Sequence, residues 1–254
     1  MGLYEEMKAR DIVDPVAQDV KNKAVELTDE EIVVTERLTD DLAWIHQRMA
    51  EDRECTRHST VYSKLFGFIP QNCHHCFKIV VRPKTLRDLF KVREVQKALD
   101  LPSKCGIEER QHVHALYGAY WYCPVSGGLK GARELYEKVR TAVEAVLGPD
   151  AGVILKRGCT EMELTHGPSD RWTYTAFHAQ REMQLDKVYT IRRREKIQPE
   201  YLEHRIIRRW IEWAYSHGDD TYLEYTDAPM TRPVVTYHDS AHKDEDFPGR
   251  QEQG

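Results

Sequence analysis

The chain has 254 residues, of which 41% are hydrophobic and 31% are charged, and its formal net charge is −5. This composition is typical of a folded, soluble protein and excludes fibrous and wholly disordered classes. The negative charge argues against a surface that is basic overall, as a non-specific nucleic-acid binder would need, and leaves room only for local basic faces.

No part of the sequence has the pattern of a targeting or membrane segment. The start, "MGLYEEMKARDIVDPV", lacks an apolar stretch of signal-peptide length, and no window approaches the roughly 18 apolar residues of a spanning helix. We therefore expect a cytoplasmic protein with no membrane contact. In that reducing compartment the six cysteines are expected to be reduced thiols, metal ligands or catalytic groups rather than disulfides.

Three regions are predicted along the chain. Residues 1–27 form a polar N-terminal arm, residues 28–218 form a single domain, and residues 219–254 form an extended or disordered tail rich in Asp, Pro and Thr. Within the domain, the sheet core is predicted at 77–165 and is followed by C-terminal helices.

The domain begins with a predicted packing helix. Thr28 and Glu31 match the capping-box pattern of a helix start. Apolar residues then recur three or four positions apart, as on one helix face, at Val34, Leu38, Leu42, Ile45 and Met49.

The segment 77–165 mixes strand and helix patterns. "FKIVVR" predicts a buried strand from residue 77, and a second capping signal, Thr85 with Asp88, begins a helix that continues to Leu99. "HVHALYGAYWYC" alternates as a strand, residues 129–147 form an amphipathic helix, and "GVILKRGCTEMELTHG" predicts two short strands. The order strand, helix, strand, helix, strand, strand predicts an α+β fold, with helices packed on a mixed sheet, of ferredoxin-like type. N- and C-terminal helices are added to it, the last one from Pro199 to Gly218.

The stretch "NCHHCF" contains a Cys-x-x-Cys pair, Cys73 and Cys76. Such a pair brings two sulfurs within reach of one ion, and thiolate is a preferred ligand of zinc and of iron–sulfur clusters. Cys123 and Cys159 end predicted sheet elements, as Cys76 precedes one, so the four are predicted to converge at one sheet edge. Zinc is the first expectation and an iron–sulfur cluster the alternative.

Two other interpretations of these cysteines stay open. Small, partly buried cysteines often only pack, in which case nothing is bound. Disulfide exchange between Cys73 and Cys76 is less favoured, because redox pairs of this spacing usually open a helix after a strand, whereas this pair precedes a strand.

A second candidate site is the glycine-rich turn before the amphipathic helix. The backbone N–H groups of Gly127 and Gly128, with Ser126 and Lys130 nearby, could bind an anion. The spacing matches neither a Walker loop nor a dinucleotide fingerprint. In the alternative interpretation, Ser126 caps the helix and the glycines only make the turn.

A third candidate is the basic segment 192–209, which contains seven Lys and Arg residues with aromatic residues close by. Such a segment could bind nucleic acid through phosphate contacts and stacking. Interleaved glutamates make a salt-bridged solvent face the other interpretation.

Polar residues on the predicted strands form a fourth set: Glu161 and Glu163 on the same strand face as Cys159, together with His112 and His114. They could build a catalytic pocket, or lie on a solvated sheet face.

Taken together, these features predict a cytoplasmic metal-binding protein that acts as an enzyme or as a subunit of an enzyme complex, with other protein subunits as its partners. The alternative is a nucleic-acid-binding or regulatory protein that uses residues 192–209. No motif selects a substrate.

Overall fold

The computed structural model of the chain describes residues 25–27, 32–36, 42–48, 50, 54–187, 189–193, 198 and 200–230. Most of the predicted N-terminal arm and the last 24 residues of the predicted tail lie outside these residues. The predicted division into arm, domain and tail stays a prediction. Within the described residues, no helix is long and apolar enough to cross a membrane.

The described N-terminal part contains three strands and two short helical segments. The strands are β1 (Val25–Leu27), β2 (Ile32–Glu36) and β3 (Trp44–Arg48). The helical segments are α1 (Cys55–Arg57), which continues as a π-helix over His58–Leu65, and α2 (Gln71–His74).

The central part alternates strands with two long helices. In chain order it contains β4 (Phe77–Val81), α3 (Leu86–Leu99), β5 (Ser103–Ile107), β6 (Tyr117–Tyr122), a 3-10 turn (Val125–Gly127), α4 (Gly128–Leu147) and β7 (Ile154–Arg157).

The C-terminal part is mostly helical. It contains α5 (Thr160–His166), a 3-10 turn (Ser169–Arg171), α6 (Ala176–Asp186), β8 (Tyr189–Arg193), α7 (Glu200–Ser216) and a final 3-10 helix (Asp220–Tyr225).

The main sheet has five strands in the order β3-β5-β6-β4-β7, and each neighbouring pair is antiparallel. A second sheet has the order β1-β2-β8, in which β2 runs parallel to β8. The predicted α+β class is therefore confirmed. The predicted helices at 86–99 and 129–147 are confirmed as α3 and α4, and the Thr85 hydroxyl accepts the predicted capping hydrogen bond from the Asp88 N–H at 3.1 Å.

The two faces of the main sheet have different surroundings. One face packs into the core against α3, α4 and α7, and its strand residues are fully buried, among them Ile79, Val81, Ala119 and Trp121. Because side chains alternate along a strand, Lys78, Lys104 and Tyr120 point to the other face. That second face carries the candidate site.

The predicted helix over residues 28–49 is wrong, because the described part of this segment forms β2 and β3. The apolar spacing fits a helix, but long-range pairing decides the outcome. β2 pairs with β8 and β3 with β5, more than 50 residues away in each case. Strand propensity is realised by such partners, which are not visible within a local sequence window.

Two predicted strands also differ from the structure. The aromatic strand begins only at Tyr117, and residues 108–116 are irregular. The predicted strand "CTEMEL" is instead the helix α5, in which Met162 is buried and Glu161 and Glu163 lie in the first turn. Acidic residues are favourable in the first turn of a helix, and Gly158, with φ of +68°, ends β7 just before it.

Candidate functional site

Four cysteines and one histidine line a single cavity of about 50 Å³, which we call the thiol cavity. Its sulfur and imidazole residues are Cys55, His58, Cys73, Cys76 and Cys159. All six cysteines of the chain lie within the described residues, and none of them forms a disulfide bond.

Separate elements bring these residues together. Cys55 begins α1, and His58 follows one turn later at the start of the π-helix. Cys73 lies in α2, whereas Cys76 directly precedes β4. Cys159 follows β7, and because β4 and β7 pair antiparallel, the Gly158 N–H donates to the Cys76 carbonyl oxygen at 2.7 Å. The strand pairing therefore holds the ends that carry Cys76 and Cys159 side by side.

Gly158 also allows Trp172 to pack beside the cavity. A Cβ atom at position 158 would overlap the Trp172 ring, and the backbone there has a positive φ. Trp172 donates from Nε1 to the Gly167 carbonyl oxygen at 2.8 Å and packs with Cys159 on the small core of Ile69, Cys73 and Met162. Glycine is thus required by both the backbone and the packing.

Burial controls the protonation of the cavity residues. It raises the pKa of the Cys73 thiol, and the neighbouring Cys76, Cys55 and Cys159 raise it further. Burial also raises the pKa of Cys159, although a hydrogen bond from the Met162 N–H opposes the change. The Cys73 and Cys159 thiols are therefore protonated at neutral pH unless a cation offsets the cost of their thiolates.

His58 is held as a neutral imidazole, the form that binds metals. Burial, followed by the charge of Arg57, lowers its pKa to about 4. Its Nδ1 lies 3.6 Å from the Cys73 Sγ, and its buried Nε2 has no hydrogen-bond partner among the described residues. A buried imidazole nitrogen without a partner is uncommon in folded proteins.

The thiol cavity is not a preformed metal site. Among the described residues, no three His, Cys, Asp or Glu side chains are arranged so that they could hold a metal ion as they stand. Any metal would therefore require the cysteine side chains to turn toward a common centre.

The structure brings together three of the four predicted metal ligands, Cys73, Cys76 and Cys159, and places the fourth elsewhere. The Cys123 N–H donates to the Phe77 carbonyl oxygen at 3.1 Å, which continues the pairing of β4 with β6. Cys123 is therefore in register with Phe77, and its side chain lies in the main core. Cys76 is the residue just before Phe77, so its side chain points to the other face of the sheet, where it lines the thiol cavity. The register of β4 against β6, together with the alternation of side chains along each strand, separates the two.

Sequence reasoning missed Cys55 and His58. Neither belongs to the predicted ligand set, yet both line the cavity. The signal was the spacing Cys-x-x-His, which puts both residues on one side of a helical turn.

A larger cleft of about 380 Å³ adjoins the thiol cavity, and we call it the polar cleft. Cys55, Cys76, Gly158 and Cys159 line both spaces. The remaining lining residues are aromatic or charged: Trp44, Tyr120, Tyr122, Lys78, Lys104, Glu108, Glu109, Arg110 and Glu161. A volume of this size is in the range of small-molecule sites.

The glutamates of the polar cleft are paired with arginines. Glu108 is buried and accepts hydrogen bonds from Arg110 at 2.6 and 2.7 Å and from the Tyr120 hydroxyl at 3.0 Å. Burial alone would raise the pKa of Glu108, but the hydrogen bonds and charge of Arg110 outweigh it, and the pKa is lowered. Arg110 also pairs with Glu161 at 2.6 Å.

Lys78 differs from these paired residues. Its side chain is only 8% exposed, and its Nζ lies 5.2 Å from the centre of the Tyr120 ring. Within the described residues, its ammonium forms no ion pair and no hydrogen bond. Burial lowers the pKa of Lys78, although Cys159 and Glu161 oppose this.

The predicted polar set on the sheet is divided by the structure. His112 and His114 are exposed in the irregular segment before β6, and Glu163 pairs with Lys156. Only Cys159 and Glu161 of that set line the polar cleft. The predicted set does not share one sheet face, because the histidines lie in an irregular segment and the glutamates lie in the helix α5.

At the glycine-rich turn, the structure places Gly127 at the N-cap of α4, so the predicted cap at Ser126 is wrong. Gly128 has a φ of +53°, and Ser126 and Lys130 are exposed. Anion binding by Ser126, Gly127, Gly128 and Lys130 stays a prediction.

The basic segment 192–209 is partly neutralised by acidic partners. Arg208 pairs with Glu212 at 3.1 Å, and Arg209 pairs with Glu109. Lys196 lies outside the described residues, and only the backbone of Arg192 and Arg193 is described, in β8. Nucleic-acid binding by this segment stays a prediction, and no contact described here favours it.

No protein-family model, no curated protein and no solved structure matches this chain. Any functional assignment therefore rests on the geometry of the thiol cavity and the polar cleft.

Proposed function

We propose that the chain is a metal-binding protein whose ligands come from the thiol cavity. The observation that carries this proposal is the convergence of Cys55, Cys73, Cys76 and Cys159 with a neutral, buried His58 on one small space. Four thiols and one imidazole are the donor types of structural and catalytic zinc sites. Random packing gives no reason for four of the six cysteines to share one cavity.

Zinc is the metal that fits the cavity best. A cavity needs roughly 10–15 Å³ to admit one water molecule. The space of about 50 Å³ is a few times larger, which is enough for one ion with the inward-turned thiolates around it. An iron–sulfur cluster is larger and would require the walls to move apart, so it is the alternative.

Metal binding would reverse the protonation of the thiols. The cysteine side chains would turn toward the ion, and each would release a proton to become a thiolate. Burial now raises the pKa of Cys73 and Cys159, and the positive charge of the ion would lower it again by stabilising the thiolates. Affinity should therefore fall steeply with acidity.

We propose further that the protein acts as an enzyme or as a subunit of an enzyme complex. The support is the position of the polar cleft, which shares three of the proposed ligands, Cys55, Cys76 and Cys159, with the thiol cavity. A metal there would border a space large enough for a substrate. Six cysteines without disulfides agree with a reducing compartment, such as the cytoplasm.

We also propose that the region from β4 to β7 is a ferredoxin-like unit. Its elements follow the order strand, helix, strand, strand, helix, strand, and its strands lie in the order β5-β6-β4-β7. In this description, β3 extends the unit at the edge beside β5.

Elemental analysis of protein purified without oxygen tests the proposed function. We expect about one zinc per chain in the wild type, and less than about a tenth of that in the variant Cys73→Ser with Cys76→Ser. The variant Cys123→Ala is the matched control, because Cys123 is also buried but lies in the main core. It should keep its metal.

Three results decide between the alternatives. Iron with acid-labile sulfide in place of zinc would identify a cluster in the same cavity. Metal loss in Cys123→Ala but not in Cys55→Ser would favour the ligand set predicted from the sequence. Absence of metal from the wild type, or full metal in the double variant, would reject the proposal.

A further inference from the structure

Lys78 places a positive charge in the polar cleft without a negative partner. Its side chain is more than nine-tenths buried, and its ammonium makes neither an ion pair nor a hydrogen bond with the described residues. A buried charge is costly unless it is paired, so a lysine retained in such a position usually serves a ligand or a reaction.

The carboxylates around the polar cleft do not supply that partner. Glu108 is held by Arg110 and Arg82, Glu161 by Arg110, and Glu109 by Arg209. Among the described residues that line the cleft, there are three cationic side chains, Lys78, Lys104 and Arg110, and three carboxylates, Glu108, Glu109 and Glu161. Because all three carboxylates are already paired with arginines, none of them forms an ion pair with Lys78.

The cleft also has walls suited to the rest of a small molecule. Trp44, Tyr120 and Tyr122 contribute aromatic surface, and the volume of about 380 Å³ exceeds what an inorganic ion needs. Such a mixture of apolar walls and a few fixed polar groups is typical of sites for small organic ligands.

We infer that the polar cleft binds a small organic anion whose phosphate or carboxylate group pairs with the ammonium of Lys78. The aromatic side chains contact its apolar part. Because Cys76 and Cys159 line both spaces, the bound anion lies beside the proposed metal. This inference names the substrate class of the proposed enzyme, but the binding of the anion itself does not require the metal.

Isothermal titration of the purified full chain with pyrophosphate and, separately, with succinate tests the inference. We expect at least one of the two to bind, and Lys78→Met to weaken that binding at least tenfold. Methionine keeps an unbranched apolar stem in the same position but lacks the ammonium and its charge. Binding of pyrophosphate alone would assign a phosphorylated ligand, and binding of succinate alone a carboxylate.

Lys130→Met is the matched control, because Lys130 is exposed and belongs to the other predicted anion site. The affinity of the Lys130→Met variant for the anion should stay within about twofold of the wild-type value. Equal weakening in both variants, weakening in Lys130→Met only, or no binding of either anion would overturn the inference. So would a Lys78→Met variant that binds the anion normally and loses only metal, because Lys78 would then serve the thiolates.

A measurement on the wild type covers the case in which Lys78→Met does not fold. Acylation of lysines by an amine-reactive ester, followed by peptide mass spectrometry, reports the access to each ammonium. Saturating pyrophosphate or succinate should slow modification of Lys78 at least fivefold and leave Lys130 unchanged. Equal rates at Lys78 with and without both anions would overturn the inference.

The two proposals fail separately. Anion binding that depends on Lys78 in a protein without metal would reject only the proposed metal centre. Stoichiometric metal in a protein whose polar cleft binds neither anion would reject only the assignment of Lys78.

Discussion

Two of the buried polar clusters among the described residues differ in how completely their polar groups are paired. On the helix-covered side, Asp219 accepts hydrogen bonds from the Leu86 N–H and the Tyr117 hydroxyl, both at 2.6 Å. It also accepts hydrogen bonds from the N–H and hydroxyl of Thr221 at 3.1 and 2.7 Å. Around the thiol cavity and the polar cleft, in contrast, the buried His58 Nε2 has no hydrogen-bond partner among the described residues. The Lys78 ammonium lines the polar cleft and contacts the Tyr120 ring, but it forms no ion pair with those residues.

The difference separates a structural cluster from a functional one. Asp219 fixes the start of α3, the strand β6 and the final 3-10 helix to each other, so its polar groups stabilise the fold. The unpaired groups of the cleft cost stability and are expected where a ligand completes the contacts.

The largest effect is expected at Asp219. Replacing Asp219 by Ala removes four hydrogen bonds and leaves the Tyr117 hydroxyl and the Leu86 N–H buried without their acceptor. We expect the free energy of unfolding to fall by about 3 kcal/mol. Urea denaturation measures it. Asp220→Ala is the matched control, because Asp220 is the exposed neighbour, and a loss there as large as at Asp219 would contradict the structural role.

The contribution of Asp219 should depend on pH. Burial by itself would raise the pKa of Asp219, but hydrogen bonds from Tyr117, Thr221 and Leu86 outweigh it and lower the pKa below 3.8. A carboxyl group with a lowered pKa stabilises the fold fully above its unfolded value and loses the effect as pH falls through its folded value. The difference between wild type and Asp219→Ala should therefore be constant above about pH 5 and narrow below 3.8. A difference that grows on acidification would contradict this.

A smaller loss is expected at Glu108, the paired carboxylate of the polar cleft. Glu108→Gln removes the negative charge that Arg82 and Arg110 share, and we expect about 2 kcal/mol of destabilisation. Glu109→Gln is the control, since its pair with Arg209 is more exposed and should contribute less than about 1 kcal/mol. Thermal or urea unfolding distinguishes them, and equal losses would show that burial of Glu108 has no energetic consequence.

The smallest effect has the opposite sign. Lys78→Met removes the charge of a side chain that is mostly buried and forms no ion pair within the described residues. We therefore expect the free energy of unfolding of the ligand-free protein to rise by about 1 kcal/mol. Lys130→Met should leave it unchanged. Destabilisation by Lys78→Met would mean that Lys78 is a structural residue, like Asp219, and the contrast between the two clusters would fail.

Local signals predicted the parts of the fold that depend on local interactions. The helix α3 begins where Thr85 caps the Asp88 N–H, and α4 follows the amphipathic pattern up to Gly148. The strands β2 and β3 were predicted as a helix because their partners, β8 and β5, lie far along the chain. The segment after Gly158 is too short for its apolar spacing to distinguish a strand from a helix. The acidic residues of its first turn favour the helix α5.

The candidate site could be predicted only in part. The Cys-x-x-Cys spacing identified Cys73 and Cys76, and the end of β7 identified Cys159. To exclude Cys123 as a ligand, one must know which face of the sheet each strand residue occupies. To include Cys55, one must know that α1 packs beside the other cysteines at the cavity. The burial of Lys78 depends on several strands and on the Arg110 network, which no local pattern contains.

X-ray absorption at the metal edge of protein purified without oxygen tests the central claim most directly. We predict a first coordination shell of three or four sulfurs at about 2.3 Å, with at most one nitrogen at about 2.0–2.1 Å from His58. A shell made only of nitrogen and oxygen, or no bound metal at all, would contradict the thiol cavity as a metal centre.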